Sequence, residues 1–164
     1  MSQSPHVTST PITSPSTVTG RLLVCEQAGH WAGVLRRELA EAGVRVWETR
    51  SLAECWDALA ATPASFLIVE LTSAGGEALL ERLVRLPRDF PLARVAVVAD
   101  RRLTGWEQLI REAGAVHFTC QPRQLAPLAQ MACCHLASVP PPPQSLTDRI
   151  WAGLPWSGKE KEEG

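Results

Sequence analysis

Gly114-Ala115-Val116-His117-Phe118-Thr119-Cys120-Gln121-Pro122 is the stretch that decides the fold of this chain. The residues before it repeat with a helical period, and Gly114 is of the type that ends a helix. Ala115 to Thr119 forms a short apolar run that is typical of a strand. Pro122 can open the next helix, because the first helical position needs no backbone N–H. The stretch therefore predicts the last strand of an alternating βα fold.

Four earlier apolar runs repeat this arrangement of a strand followed by an amphipathic helix. The runs are residues 22–25, 44–47, 66–69 and 95–98. We expect Gly43 to end the first helix and the hydroxyl of Ser51 to cap the second. Because βαβ crossovers are right-handed, five such units predict an α/β, flavodoxin-like (βα)5 fold with a doubly wound, five-stranded parallel sheet. The expected strand order is 2-1-3-4-5, which places the functional crevice at the carboxyl ends of strands 1 and 3.

The composition restricts the classes of function. The chain has 164 residues, 45% of them hydrophobic, and a formal net charge of -1, so no basic field attracts nucleic acid or an anionic membrane. No apolar run reaches the roughly 18 residues that span a bilayer, and the N-terminus lacks a signal-peptide pattern. Five cysteines without a CxxC pair are typical of reduced thiols. We expect a cytoplasmic protein whose partner is another protein.

The chain is expected to divide into four parts. Residues 1–20 are rich in Ser, Thr and Pro, a composition that predicts a disordered arm. Residues 21–138 contain the five βα units. Residues 139–144 form a proline spacer, for which extended polyproline II geometry is expected. Residues 145–164 form a tail that contains two tryptophans.

The tail has a pattern of its own. Leu146, Ile150, Trp151 and Leu154 fall on one face of a short helix, and Trp156 follows. Aromatic anchors supply a large contact area at low entropic cost. We therefore expect Ile150, Trp151, Leu154 and Trp156 either to dock onto another protein or to cover an apolar patch of their own domain.

Three strand ends carry residues that point to a family. Strand 1 is followed by Glu26-Gln27, strand 3 ends in Leu67-Ile68-Val69-Glu70-Leu71, and strand 5 has the pattern Gly-Ala-x-x-Phe-x-x-Gln-Pro. Over about residues 21–138 the chain resembles the response-regulator receiver (CheY-like) domains. In that family strand 1 ends in two acidic residues, strand 3 carries the phosphoacceptor aspartate, and a Lys-Pro pair follows strand 5.

Four positions depart from the family pattern in ways that affect its chemistry. Gln27 replaces an acid, Glu70 replaces the aspartate, Ala99 replaces a hydroxyl residue and Gln121 replaces the lysine. Glu70 is one methylene longer, which disturbs a geometry that tolerates about half an ångström of error. Gln121 has no charge and Ala99 has no hydroxyl. Because one electrostatic donor is typically worth about 3 kcal/mol, the resemblance implies a degenerate phosphoacceptor pocket made of Glu26, Gln27, Glu70, Ala99, Gln121 and Pro122.

The resemblance also implies two features around strand 5. Gln121-Pro122 is expected to be a cis peptide, although an ordinary trans proline that opens the last helix is the alternative. Phe118 corresponds to the aromatic switch residue of working receivers, and its alternative role is a core side chain.

The two acids leave three interpretations open. Glu26 and Glu70 could share a Mg²⁺ ion, since hard cations bind carboxylate oxygens. They could instead be solvated acids at strand ends, the interpretation we favour over a shared ion. Glu70 could also imitate the phosphorylated aspartate, but it supplies one negative charge where a phosphoryl group adds about 1.5 to 2.

Other candidate sites in the sequence are weak. His30 lies alone after strand 1, and Cys133-Cys134-His135 are neighbours whose side chains diverge on a helix. Gly75-Gly76 lacks the spacing of a nucleotide-binding loop. We therefore expect no resident metal and no cofactor.

The favoured hypothesis is a non-catalytic pseudo-receiver that is no enzyme and acts by protein contact, through the face of helix 4, strand 5 and helix 5 or through the tail. One alternative is a Mg²⁺-binding receiver of a two-component phosphorelay that slowly accepts phosphate on Glu70 or Asp100. Another is a small flavodoxin-like enzyme or ligand-binding domain.

Overall fold

The computed structural model describes residues 20–139, and these residues contain a five-stranded parallel sheet. The strands lie in the order β2-β1-β3-β4-β5, so the predicted fold and strand order are confirmed. The strands are β1 (Leu22–Cys25), β2 (Val46–Thr49), β3 (Phe66–Leu71), β4 (Arg94–Ala99) and β5 (His117–Thr119).

Helices connect the strands and cover both faces of the sheet. They are α1 (His30–Glu38), α2 (Leu52–Ala61), α3 (Gly76–Asp89), α4 (Glu107–Glu112) and α5 (Ala126–Ser138). Short 3₁₀ helices precede the last two, at Arg101–Trp106 and Pro122–Gln124. None of the helices within residues 20–139 is long and apolar enough to cross a membrane.

The core consists of two apolar layers, one on each face of the sheet. β3 is buried on both faces, and its alternate residues separate between the layers. Leu67 and Val69 pack with α2, α3 and α4, whereas Phe66 and Ile68 pack with α1 and α5. This division is the doubly wound arrangement, and it creates a crevice where α1 and α3 leave the sheet on opposite faces.

The first helix and the second strand differ from the expected boundaries. α1 ends at Glu38 and not at Gly43, because the chain tightens into turns in which the N–H of Ala40 donates to the carbonyl of Arg37. Gly43 has a φ of 64°, the left-handed conformation that glycine allows, and it directs the chain toward β2. β2 starts two residues later than expected, because the register with β1 pairs Leu22 with Val46.

The predicted cap of the second helix is confirmed. The hydroxyl of Ser51 accepts a hydrogen bond from the N–H of Glu54 at 3.2 Å. In return, the carboxylate of Glu54 accepts one from the N–H of Arg50 at 2.8 Å. This reciprocal capping fixes the connection between β2 and α2 at the edge of the crevice.

Candidate functional site: the crevice at the carboxyl ends of the strands

Glu26 follows β1, and its carboxylate caps the start of α1. Its Oε2 accepts a hydrogen bond from the N–H of Trp31 at 2.8 Å, and its Oε1 accepts one from Ala32 at 2.7 Å. Gly29, which precedes α1, has no side chain that could cap it. A carboxylate at this position satisfies free N–H groups and faces the positive end of the helix dipole. Glu26 is only 2% exposed, so its role in the folded chain is that of a buried helix cap.

Glu70 lies at the end of β3 and is tied to the same loop. Its Oε2 accepts a hydrogen bond from the backbone N–H of Gln27 at 3.0 Å. The side chain is half-buried and contributes to the walls of two separate cavities. Glu70 is therefore the acid that divides the crevice.

The first cavity lies between β1, β3 and the start of α2, and has a volume of about 230 Å³. Glu26, Gln27 and Glu70 line it together. Arg50 also lines it, and its guanidinium donates to the carbonyl of Glu26 at 3.4 Å and to the carboxylate of Glu48 at 2.9 Å. A positive charge thus sits on the wall that carries both acids.

Sequence reasoning missed Arg50, although a signal was present. Arg50 directly follows Thr49, the last residue of β2, and residues that follow parallel strands collect at the crevice edge. The basic residue at this strand end was therefore as strong a candidate as the acids.

Cys25 contributes a thiol to the same cavity. A hydrogen bond with the Cys55 thiol lowers the pKa of Cys25, and burial opposes this effect. The same bond and burial raise the pKa of Cys55. Both thiols belong to the core layer that α2 and α3 cover.

The second cavity, of about 370 Å³, lies between β3, β4 and the segment after β5. Glu70, Ala99 and Pro122 line it, and Ala99 is fully buried. The carboxylate of Asp100 also borders it, but Oδ1 accepts a hydrogen bond from the N–H of Arg102 at 2.9 Å. Asp100 is therefore the cap of the 3₁₀ helix that follows β4.

Gln121 does not join the other residues of the predicted pocket. It is exposed and lines a neighbouring cavity of about 380 Å³ that does not include Glu70. Its backbone N–H donates to the hydroxyl of Thr119 at 3.2 Å. Cys120 lines the second cavity together with Glu70 and Ala99, and it also lines the cavity of Gln121.

The expectation for Gln121-Pro122 was wrong. The peptide bond is trans, and Pro122 opens the 3₁₀ helix before α5, where its missing N–H costs little. Phe118 is 5% exposed and belongs to the core layer beneath α4, which is the core position given as its alternative.

Trp106 fixes the segment between β4 and α4 against the start of α3. A Cβ atom added at Gly76 would lie 2.6 Å from the indole ring of Trp106, so the ring rests directly on the glycine backbone. Asp100 holds the other end of the 3₁₀ helix. The segment beside the crevice is therefore anchored at both ends.

No group of three His, Cys, Asp or Glu side chains within residues 20–139 could hold a metal ion. His30 lines the second cavity, whereas Nε2 of His135 lies 3.0 Å from the carbonyl oxygen of Ala64 on α5's inner side. The tail residues Ile150, Trp151, Leu154 and Trp156 lie outside the described residues.

No protein-family model matches the chain, and no curated protein matches it. Solved structures do, and they show that the chain has the fold of CheY-like response-regulator receiver domains. A CheY-like protein, TadZ, from Pseudomonas aeruginosa is similar at 24% identity and a TM-score of 0.56, covering 74% of this chain and 98% of that one. A response regulator from Thermotoga maritima has 22% identity and a TM-score of 0.58, covering 73% and 99%.

A third similar structure is an atypical orphan response regulator with a phosphorylation-independent regulatory mechanism. It has 19% identity and a TM-score of 0.59, and the match covers 74% of this chain and 98% of that one. These similarities show the fold of the chain. What the crevice can do chemically depends on the residues that line it.

Proposed function

We propose that this chain is a pseudo-receiver, a non-catalytic signalling domain that acts by protein–protein contact without aspartyl phosphorylation. The observation that carries the proposal is that backbone N–H groups already bind the carboxylates of the two crevice acids. Glu26 caps α1 with both carboxylate oxygens, and Glu70 accepts the N–H of Gln27. Acids that hold a loop together are poorly placed to bind Mg²⁺ and to receive a phosphoryl group.

The other parts of the reaction are also missing from the crevice. The fully buried Ala99 supplies no hydroxyl, and the exposed Gln121 lies in a cavity apart from Glu70. Phosphoryl transfer depends on positioned charges and hydrogen-bond donors. Arg50 brings a positive charge, but its guanidinium is already bound to Glu48 and to backbone carbonyls.

The similarity to a phosphorylation-independent orphan regulator supports the proposal as a precedent for the fold. The anchored segment between β4 and α4 supports it on physical grounds. Trp106 on Gly76 and the Asp100 cap favour one conformation, so the domain presents a constant surface to its partner.

The partner surface in this proposal is the face of α4, β5 and α5. β5 is an edge strand of the sheet, and Val116 beside it is 40% exposed. Edge strands and exposed apolar side chains are features that partners use. The substitution Val116→Asp should weaken capture of a partner from cell extract, whereas Leu92→Asp, at an exposed residue that follows α3, should not.

The test of the phosphorylation-independent function uses the purified full chain with Mg²⁺ and a small acyl-phosphate donor. Intact mass spectrometry should show no added phosphoryl group. A stoichiometric adduct that disappears in Glu70→Ala or in Asp100→Ala would establish the rival, a Mg²⁺-dependent receiver, and would identify its acceptor. A working receiver domain treated in parallel shows that the donor is active.

A further inference from the structure

An apolar groove runs between α3 and α4 on the sheet face opposite α1 and α5. It has a volume of about 450 Å³, larger than the crevice cavities. Val84 is 67% exposed and Leu109 is 48% exposed, and together they form its open side. The remaining lining residues are Leu80, Ala113 and the rim residues Glu81, Arg85 and Glu112.

The charges on the rim are satisfied within the helices that carry them. Arg85 pairs with Glu81 at 2.8 Å, and the carboxylate of Glu112 accepts a hydrogen bond from Gln108 at 2.9 Å. The groove therefore offers an apolar surface, and its rim charges do not need an oppositely charged partner. An occupant that fits it is apolar on the side it presents.

The described part of the chain ends at the same edge of the sheet as this groove. α5 ends beside Gly20 and Ala64, where a Cβ added at Gly20 would lie 3.1 Å from Val139. These residues precede β1 and β3, so α5 ends at the amino edge of the sheet. α3 and α4 also end at that edge, because the chain returns from them to the starts of β4 and β5. The end of α5 and the lower end of the groove thus lie at the same edge, on opposite faces.

The spacer has the length required to pass around that edge. Layers pack about 10 Å apart, so the path from the α5 layer to the α3 and α4 layer is roughly 20 Å. The six residues 140–145 that follow Val139 would span roughly 19 Å if they adopted the polyproline II geometry expected of the spacer. A spacer of that length would bring residue 146, where the amphipathic part of the sequence begins, within reach of the groove.

The apolar residues of the groove and those of the tail sequence have the same spacing. Leu80 and Val84 are four residues apart on α3, and Leu109 on α4 is four residues from Ala113, the residue that caps the end of α4. The tail repeats the same interval in Leu146, Ile150 and Leu154, and such i, i+4 rows interdigitate when helices pack. We propose that residues 145–156 of this chain occupy the α3–α4 groove of their own domain.

This docking would cover Leu109 and Ala113 beside α3 but would leave α5 and the edge of β5 free for a partner, so it can fail without the proposed function failing. Its test involves no phosphoryl donor and no partner. Hydrogen exchange is measured on the purified full chain, and the peptides that cover residues 145–156 are followed. Wild-type peptides should be protected, and Val84→Asp should accelerate their exchange at least about tenfold. Because Val84 is mostly exposed, the domain should fold in this variant.

Leu92→Asp is the matched control, since Leu92 is 45% exposed but does not line the groove. It should leave the protection unchanged. Unprotected tail peptides in the wild-type chain would overturn the proposal. Equal effects of the two variants would also overturn it. Protection that weakens on dilution would assign the groove to the tail of a second copy and overturn the docking within one chain.

The reciprocal variant examines the groove itself. Ile150→Asp should shift the amide NMR resonances of Leu80, Val84 and Leu109, because the apolar side chain leaves their surface. Shifts confined to other parts of the domain would contradict the assignment.

Discussion

The backbone N–H of Gln27 donates a hydrogen bond of 3.0 Å to Oε2 of Glu70, and this bond ties the end of β3 to the loop after β1. The preceding residue, Glu26, holds the other end of that loop by capping α1. The two acids in the crevice between β1 and β3 therefore hold the loop that connects β1 to α1. A cation that entered the crevice would have to compete with these N–H groups for carboxylate oxygens.

Magnesium should not stabilise the protein. If the crevice bound Mg²⁺ with a Kd of about 1 mM, about 10 mM of the ion would add about 1.4 kcal/mol to the free energy of unfolding. That gain would raise the Tm by roughly 5 °C. We expect no rise in the Tm beyond that of potassium chloride at matched ionic strength. A Mg²⁺-specific rise that is lost in Glu70→Ala would contradict the expectation.

Glu26→Gln should destabilise the fold by about 1–3 kcal/mol, because a buried group loses its charge and one of its two hydrogen bonds to α1. The amide has one oxygen that accepts, whereas its NH₂ group would face the N–H of Trp31 or Ala32. Urea unfolding measures the change in the free energy of unfolding. Glu41→Gln, at an exposed residue after α1, is the control and should change it by less than about 0.5 kcal/mol. Equal effects of the two substitutions would refute the capping role.

The strand order followed from the sequence because several local signals agree. The continuous apolar run at Phe66 to Val69 marks a strand buried on both faces, and Gly114 and Pro122 mark the ends of helices around β5. The boundaries near Gly43 were less accurate, since Leu39 stays buried after the helix has ended. The hydrophobic pattern shows which side chains are buried, but it does not show whether the backbone of those residues is hydrogen-bonded as a helix.

The crevice was only partly predictable. The sequence placed Glu26, Gln27 and Glu70 together, because residues that follow adjacent parallel strands must meet. It did not show that Glu26 turns back toward α1, which depends on the path of the loop. The position of Gln121 outside the cavity of Glu70 has a similar cause, since one residue of offset after β5 changes which side chain faces the crevice.

Gly76→Ala should lower stability by about 1–3 kcal/mol, although alanine favours helices. The new Cβ would lie 2.6 Å from the ring of Trp106, and overpacking of this kind costs more than the propensity gain of about 1 kcal/mol. Gly33→Ala is a matched control inside α1, because nothing lies within 4 Å of its added Cβ. It should raise stability by about 0.5–1 kcal/mol.

Thermal unfolding of these two variants gives the sign of each effect directly. Adding Trp106→Ala to Gly76→Ala should remove the clash, so the double variant should lose less than the sum of the two single variants. Additive losses would show that Trp106 does not fix the β4–α4 segment through Gly76.

The half-buried His135 makes stability depend on pH. Burial lowers its pKa below the ordinary value, Arg94 adds to this effect, and the hydrogen bond to the Ala64 carbonyl opposes it. The ring also contacts Phe66, with the centroids 5.6 Å apart. Burial lowers the pKa of His117 in the same direction. In the window below the ordinary value of about 6.5, the unfolded chain therefore binds more protons than the folded chain.

Stability should consequently fall as the pH decreases from about 7.5 to about 5.5, across the ordinary histidine pKa of about 6.5. Urea midpoints at the two pH values measure this slope. His135→Gln should reduce the slope, because glutamine can still donate to the Ala64 carbonyl but does not titrate. Adding His117→Gln should reduce it further, since the two rings lie on different elements and their effects should add. A slope that both substitutions leave intact would mean that groups other than these two histidines bind the extra protons.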